Sequence, residues 1–238
     1  MKTISWFTSI CNSNGLTLDE EQVGLFETYL RLLLSWNSRI NLISRKDEDN
    51  FYSHHALNCV SFLFGTDLKP NARILDLGTG GGLPGIPLKI LRRDLSLVLL
   101  DSVAKKTAAL SDIVRKMELE EVEVVNGRAE NVAKLDEFQG KFDYVISRAA
   151  GRSDEVIKWS RGFPKKFESL GNRTIPAGTL MVLKGGAIED ELRVARSLKI
   201  VESIRVTNIT FNGMDEIENK DKKLIVVQYK TTAAEKRN

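Results

Sequence analysis

The sequence predicts an α/β fold: a seven-stranded, Rossmann-like, mostly parallel sheet preceded by an N-terminal helical extension. Three observations carry that expectation. From Arg73 onward, short apolar runs alternate with segments of helical periodicity, the pattern of repeated β-α units. Residues 73–85, R-I-L-D-L-G-T-G-G-G-L-P-G, run an apolar strand directly into a glycine cluster. The last two strand-like runs are separated by charged residues with no helix between them, which favours antiparallel pairing.

The N-terminal third is helical in pattern. Residues 1–15 offer little beyond Trp6 and Phe7, which suit a short helical turn. Thr17-x-x-Glu20 reads as a capping box, ahead of a long helix with Val23, Phe26, Leu30, Leu33 and Leu34 at helical spacing, ending near residues 37–41. A second helix is expected over 51–64, with Leu57, Val60 and Phe64 as its stripe, closed by Gly65 and Pro70. Residues 1–70 therefore form a helical cap and 71–238 the sheet domain, the two making one unit.

The remaining elements follow in order. Strand one spans 73–78, and Pro84 suits the first turn of a helix over 84–91. Strand two, 95–101, is nearly all apolar, as a strand buried on both faces must be. A helix over 104–118 carries Leu110, Ile113, Val114 and Met117. Strand three is 122–125, a short helical piece covers 131–135, and strand four is 142–147. A helix lies within 153–169. Strand five, 180–183, is closed by Lys184-Gly185-Gly186. A helix over 188–198 precedes the two final strands, 201–210 and 224–230, and residues 231–238 read as a tail.

Composition narrows the function classes. The 238 residues are 42% hydrophobic and 28% charged, ordinary for a globular protein with a sizeable core. A net charge of +3 and a pI of about 8.8 permit an RNA partner without demanding one. Cys11 and Cys59 cannot make a disulfide framework. No apolar run approaches the ~18 residues needed to span a bilayer, and no secretory signal pattern is present, so a cytoplasmic, monomeric protein is expected. His54 and His55, the two histidines of the chain, have no Cys or acid at metal-ligand spacing around them, so no metal is expected. Neither a G-x-S-x-G elbow nor a G-x-x-x-x-G-K-[ST] phosphate loop occurs.

In a doubly wound sheet, ligands bind at the carboxyl ends of the strands beside strand one. The residues of interest all fall there. Gly78, Gly80 and Gly82 let a ligand approach the backbone, and the helix behind them is expected to offer unpaired N–H groups. Asp76 must be hydrogen-bonded because its strand buries it; it organises the loop or meets a cationic amine. Asp101, at the end of strand two, is placed to accept from ribose hydroxyls or to cap the next helix. Arg148, after strand four, and Lys184, after strand five, are two cations on adjacent strand ends. They suit a polyanionic substrate.

D-x-G-x-G-x-G, with its acid ahead of the glycines, resembles the first motif of S-adenosylmethionine-dependent methyltransferases. Gly80-x-Gly82-x-x-Gly85 alone also satisfies the dinucleotide fingerprint. A nicotinamide-dependent oxidoreductase is therefore one alternative, and a non-catalytic ribosome-associated RNA-binding protein another. More specific are D-L-G-T-G-G-G-L-P-G-I-P-L, L-L-D-S-x-x-K-K, R-A-E (128–130), V-I-S-R-A, N-S-R-I-N-L (37–42) and L-K-G. Together they resemble the glucose-inhibited division protein B family, bacterial methyltransferases acting on guanine N7 of small-subunit ribosomal RNA.

That resemblance covers about residues 17–230. It implies a class I methyltransferase sheet and S-adenosyl-L-methionine as cofactor, with 16S ribosomal RNA or an assembling small subunit as partner. The implied cofactor contacts are Gly78, Gly80, Leu83, Asp101, Ala129, Glu130 and Arg148, with Arg148 and Lys184 acting on the acceptor and no obligatory general base. Arg39, Arg45, Lys46, Lys105, Lys106 and Arg128 are candidates for an RNA-backbone surface. One departure stands out: H-H-A-L-N-C (54–59) replaces the family's R-H-x-x-D-S, so Asn58 lacks a charge.

Overall fold

The apolar runs downstream of residue 72 become the strands of one sheet: β1 (Arg73–Leu77), β2 (Ser96–Asp101), β3 (Val122–Asn126), β4 (Tyr144–Arg148), β5 (Thr179–Gly185), β6 (Val201–Asn208) and β7 (Lys222–Tyr229). The computed structural model describes residues 2–148, 150–168, 175–217 and 221–230. Within them the strand order is β3-β2-β1-β4-β5-β7-β6. The first five strands are parallel, and β7 pairs antiparallel with both β5 and β6. Chain order reverses between β1 and β4, which makes their carboxyl ends the switch point where such sheets open a crevice.

Period-two alternation sorts β1 between two cores. Ile74 joins a cluster that contains Phe7, Phe26 and Leu33 of the cap, whereas Leu75 and Leu77 join the opposite cluster with Val156 and Leu180. Cap and sheet thus share one hydrophobic core on that face. Helices α4 (Gly85–Leu91) and α5 (Ala104–Lys116) lie on the cap side; α6 (Ala129–Val132), α7 (Ser153–Ser160) and α8 (Glu189–Ser197) pack on the other. No helix of the described residues is long and apolar enough to cross a membrane.

The cap departs from its sequence pattern in three places. Residues 4–13 form a complete helix, α1 (Ile4–Ser13), because Phe7 is buried edge-on against Phe26 with ring centroids 4.9 Å apart. The capping box of α2 (Glu20–Asn37) uses Asp19 and Gln22, not Thr17 and Glu20. Thr17 Oγ1 donates instead to Asn12 Oδ1 at 3.0 Å, and Gln22 Nε2 reaches the Ile90 carbonyl at 2.9 Å, tying α2 to α4. The helix expected over 51–64 breaks into a wide π turn (Tyr52–Ala56), a single α-turn α3 (Leu57–Val60) and a 3-10 turn (Ser61–Phe64). Phe51, Tyr52, His55, Ala56 and Leu57 are all buried, so this segment hides every side rather than one 3.6-period stripe.

Other boundaries shift for local reasons. α7 stops at Ser160, with Gly162 and Pro164 ahead of it; Pro cannot continue a helix. Residue 169, the far end of the helix expected there, lies outside the described residues, as do the tail 231–238 and Ala149. The charged segment before β7 is described up to Ile217 and again from Asp221.

Asn37 explains why residues 37–42 carry a recognisable motif. Fully buried at the end of α2, its Oδ1 accepts from Leu42 N (2.7 Å) and Ile43 N (3.0 Å), while Nδ2 donates to Glu48 Oε1 (2.6 Å). This fold-back presses Leu42 against the glycine loop; a Cβ built on Gly81 would lie 3.3 Å from the Leu42 Cβ. Asn37→Ala leaves two buried amides without acceptors, each worth about 1–3 kcal/mol. Urea denaturation is expected to show a loss of about 2–4 kcal/mol.

Candidate active site

β1 delivers Asp76 into the interior immediately before the glycines. The residue is fully buried, and its Oδ2 accepts from Thr79 Oγ1 (2.7 Å) and Gly85 N (2.8 Å), drawing the loop around one carboxylate. Its Oδ1 is buried with no hydrogen-bond partner. Burial pushes this carboxyl up to about 7, against the pull of the Thr79 and Gly85 bonds and the nearby Arg148 charge. Gly78 turns the chain at φ +71°, and any Cβ there would sit 2.6 Å from the Ala150 Cβ. The loop's far side is pinned by the cap, where the buried Tyr29 hydroxyl donates to the Gly81 carbonyl at 2.8 Å.

The start of α4 does not offer the unpaired amides its sequence suggests. Gly85 N–H goes to Asp76, and Ile86 N–H goes to the Gly82 carbonyl at 2.8 Å. A buried acid three residues ahead of Thr79 and nine ahead of Gly85 draws the first of them inward.

Beside the loop lies a crevice of about 320 Å³, lined in part by Gly78, Asp101, Val103, Ala129, Glu130 and Trp159. Four of the residues expected to hold a cofactor meet there. Asp101 Oδ2 accepts from Gly80 N (3.0 Å) and Oδ1 from Val103 N (2.9 Å). The acid therefore braces the glycine loop and the entry to α5 at once, and each oxygen keeps a further lone pair for a ligand. Three expected contacts, Gly80, Leu83 and Arg148, are not on the crevice wall. Gly80 gives its N–H to Asp101, and Leu83 is buried in the core shared with the cap.

Across the sheet edge, Arg148 and Lys184 line a second cavity of about 390 Å³ together with Asp47, His55, Asn58 and Lys222. Arg148 thus belongs to this cavity rather than to the crevice wall. Its Nη2 lies 2.5 Å from His55 Nδ1. Lys184 is not the free cation its sequence position suggests: Nζ pairs with Glu191 Oε2 at 3.1 Å and donates to the Gly151 carbonyl at 2.7 Å. Glu191 is in turn held low by hydrogen bonds from Ser153 and by Lys184, against the upward push of burial. Lys222, by contrast, is pushed down by burial and by the Arg148 charge. Asn58 sits in the cavity and donates from Nδ2 to the His54 carbonyl at 2.6 Å, so the H-H-A-L-N-C segment does line this pocket.

Several site residues had no sequence signal strong enough to single them out. Trp159 reaches the crevice from α7 and Glu191 reaches Lys184 from α8, each as one ordinary position of an amphipathic helix. His55 lies 93 residues from Arg148. Its sequence signal is the H-H-A-L-N-C segment, which sets it at the His of the family's R-H-x-x-D-S without naming a partner. Among the described residues, no three His, Cys, Asp or Glu side chains converge on a possible metal site.

This geometry has counterparts. A family model described as rRNA small subunit methyltransferase G matches residues 22–225. The ribosomal RNA small subunit methyltransferase G of Porphyromonas gingivalis is 37% identical over 187 residues, which cover 79% of this chain and 80% of that protein. The protein of the same name from Clostridium botulinum is 27% identical over 232 residues, covering 98% and 93%. Among solved structures, a SAM-dependent methyltransferase from Aquifex aeolicus is similar with a TM-score of 0.50 at 16% identity, covering 72% of this chain and 90% of that one. An M. jannaschii protein in complex with AdoMet has a TM-score of 0.50 at 11% identity, covering 82% and 80%. Both speak for the fold, a Rossmann-like class I methyltransferase sheet. By a family match over most of its length, and by relatives above 30% identity, the chain belongs to the rRNA small subunit methyltransferase G family.

Proposed function

We propose that the protein transfers a methyl group from S-adenosyl-L-methionine to guanine N7 in small-subunit (16S) ribosomal RNA, working in the cytoplasm on naked RNA or an assembling subunit. The observation that carries this reading is the pair of pockets divided by the ends of β1 and β4. One is a glycine-floored crevice with an acid on each flank, and the other is a cavity rimmed by cations.

The residues present fit the cofactor. Asp76 Oδ1, buried and unpartnered beneath the glycine loop, would suit the methionine amine. Asp101 has lone pairs left for both ribose hydroxyls, and Ala129 N–H and Glu130 suit the polar edge of adenine. Gly78 provides a floor without a Cβ, Gly80 fixes Asp101, and Leu83 supports the loop from beneath. When bound, S-adenosylmethionine supplies an electrophilic methyl on a sulfonium. Guanine N7 carries an in-plane lone pair and needs no proton removed, so no obligatory general base is required. The protein's work is then positioning, which can lower a barrier by several kcal/mol.

Arg148, on the wall of the acceptor cavity, orients the acceptor base or a flanking phosphate in two-pronged fashion. Lys184, neutralised by Glu191, acts by bracing the Gly151 carbonyl next to crevice-lining Ala150. Arg128, Lys105 and Lys106, with Arg39, Arg45 and Lys46 on the cap, supply sequence-independent attraction to the RNA backbone.

Titrating the purified protein with S-adenosylmethionine and, separately, with NADH tests the cofactor. Mass mapping of 16S RNA from cells with and without the gene tests the product. Micromolar adenosyl binding and one methylguanine lost from the RNA are expected. Tight NADH binding with no adenosyl binding, or an RNA unchanged by deletion, would overturn the reading.

A further inference from the structure

The contacts of Arg148 come from one short piece of the cap. Its Nη2 lies 2.5 Å from His55 Nδ1, and its Nη1 lies 3.5 Å and 3.4 Å from the carbonyls of His54 and His55 and 3.6 Å from Cys59 Sγ. A guanidinium has only donors and stays charged. His55 Nδ1 must therefore accept, which puts the imidazole in its neutral form with the proton on Nε2. That nitrogen is buried without a hydrogen-bond partner, 3.5 Å from Asp47 Oδ2. The ring is buried and stacks on Phe51, with centroids 6.2 Å apart and planes 30° apart.

We infer that His55 is a positioning residue for Arg148. As a neutral acceptor, it fixes the guanidinium at the end of β4, on the wall of the acceptor cavity. The inference rests on the proposed methyltransferase reading, in which Arg148 touches the acceptor. Left to itself, an arginine side chain samples many rotamers, and freezing it on binding costs entropy. Here the cap has already frozen it. The same contact makes the helical cap part of the reaction geometry and not merely a cover for the sheet.

The charges around His55 agree with this arrangement. Arg148 faces it from β4 and His54 from its own turn, and both disfavour a proton; Asp47, from the 3-10 turn Arg45–Asn50, favours one. Burial is the largest influence and also disfavours the charge, so the imidazole is held down at about 4. A protonated His55 could not accept from Arg148. The contact is therefore intact at neutral pH and is lost only in acid.

Two measurements on the full-length protein test this. With two histidines in the chain, 15N-histidine NMR at pH 7 resolves each tautomer. One imidazole is expected with an unprotonated Nδ1 and a protonated Nε2, and an Arg148→Ala variant should shift that signal alone. A spectrum with neither ring in that form overturns the inference and leaves the methyltransferase reading untouched. The second measurement uses small ribosomal subunits from cells lacking the gene as substrate. His55→Phe, which keeps the stack on Phe51 but cannot accept, should lower kcat by roughly 30-fold or more, the scale of an ångström-sized misplacement. S-adenosylmethionine affinity should stay within about 3-fold.

His55→Asn places an acceptor oxygen near the Nδ1 position and should recover most of the lost kcat. Equal activity of His55→Phe and wild type, or equal loss in both variants, overturns the inference. If His55→Phe does not fold, the Arg148→Ala spectrum decides: the signal of the Nε2-protonated ring should shift, and an unmoved signal overturns the inference. If the wild type itself adds no methyl group, the failure lies with the proposed function, because the tautomer experiment stands without it.

Discussion

Asp101→Ala is expected to abolish S-adenosylmethionine binding in any practical assay and to erase the methyl mark in cells. Two effects combine. The variant strips the acceptor from the Gly80 and Val103 amides, which the carboxylate holds at 3.0 and 2.9 Å. The glycine loop then loses its brace on the crevice side. It also removes the charged acceptor for the ribose, and hydrogen bonds to a charged group are worth about 1.5–3 kcal/mol each. A hundredfold or greater rise in Kd follows from about 2.7 kcal/mol, which one such bond and part of the brace supply. Calorimetric titration reads the affinity, and mass mapping of 16S RNA reads the cellular consequence. Asp101→Asn keeps one acceptor oxygen and should fall between the two. An Asp101→Ala protein that binds the cofactor as wild type does would remove the crevice from consideration. A retained mark with no binding would favour a non-catalytic role.

Much of this site follows from short-range patterns. The β-α alternation is legible because each strand is a local apolar run, and parallel topology then carries the end of every strand to one edge. That is why Gly78, Asp101, Ala129 and Glu130 converge on one crevice, with Arg148 at a neighbouring strand end. What stays hidden is the pairing of side chains across elements. Nothing local distinguishes Lys184 facing RNA from Lys184 neutralised by Glu191, because both residues sit on polar faces. The π turn at Tyr52–Ala56 is equally silent in the sequence: the stripe of Leu57, Val60 and Phe64 that follows it fits one continuous helix. His55 is the instructive case. The H-H-A-L-N-C segment marks it without assigning a chemistry, because its value as an acceptor depends on an arginine that the fold brings back from 93 residues away.

Asp76→Asn should stabilise the protein in mild base while weakening its cofactor affinity, and the sign follows from the buried proton. The folded protein holds the Asp76 carboxyl at about 7, against 3.8 for an unperturbed aspartate. The folded state therefore binds more protons than the unfolded chain between those values, so stability is greatest below about pH 4 on this account and falls as pH rises to about 7. The difference is on the order of 4 kcal/mol at most, lost in full above pH 7, where a buried carboxylate has only the Thr79 and Gly85 donors around it. Asparagine does not titrate, and its Oδ1 can accept from the same two groups.

Urea denaturation at pH 5.5 and 8.5 separates the two proteins, since every other titrating group is common to both. The variant should gain about 1–3 kcal/mol on the wild type between the two pH values. Its side-chain amide, however, would turn a donor toward the methionine ammonium, and the Kd for S-adenosylmethionine should rise about 30-fold or more. In the wild type, an ammonium beside Oδ1 favours the carboxylate, so cofactor binding near pH 6.5 should release a proton. Calorimetry in two buffers of different ionisation enthalpy detects that release. Parallel stability curves for the two proteins would mean that the Asp76 carboxyl is already ionised across this range, and the amine assignment would then lose its electrostatic basis.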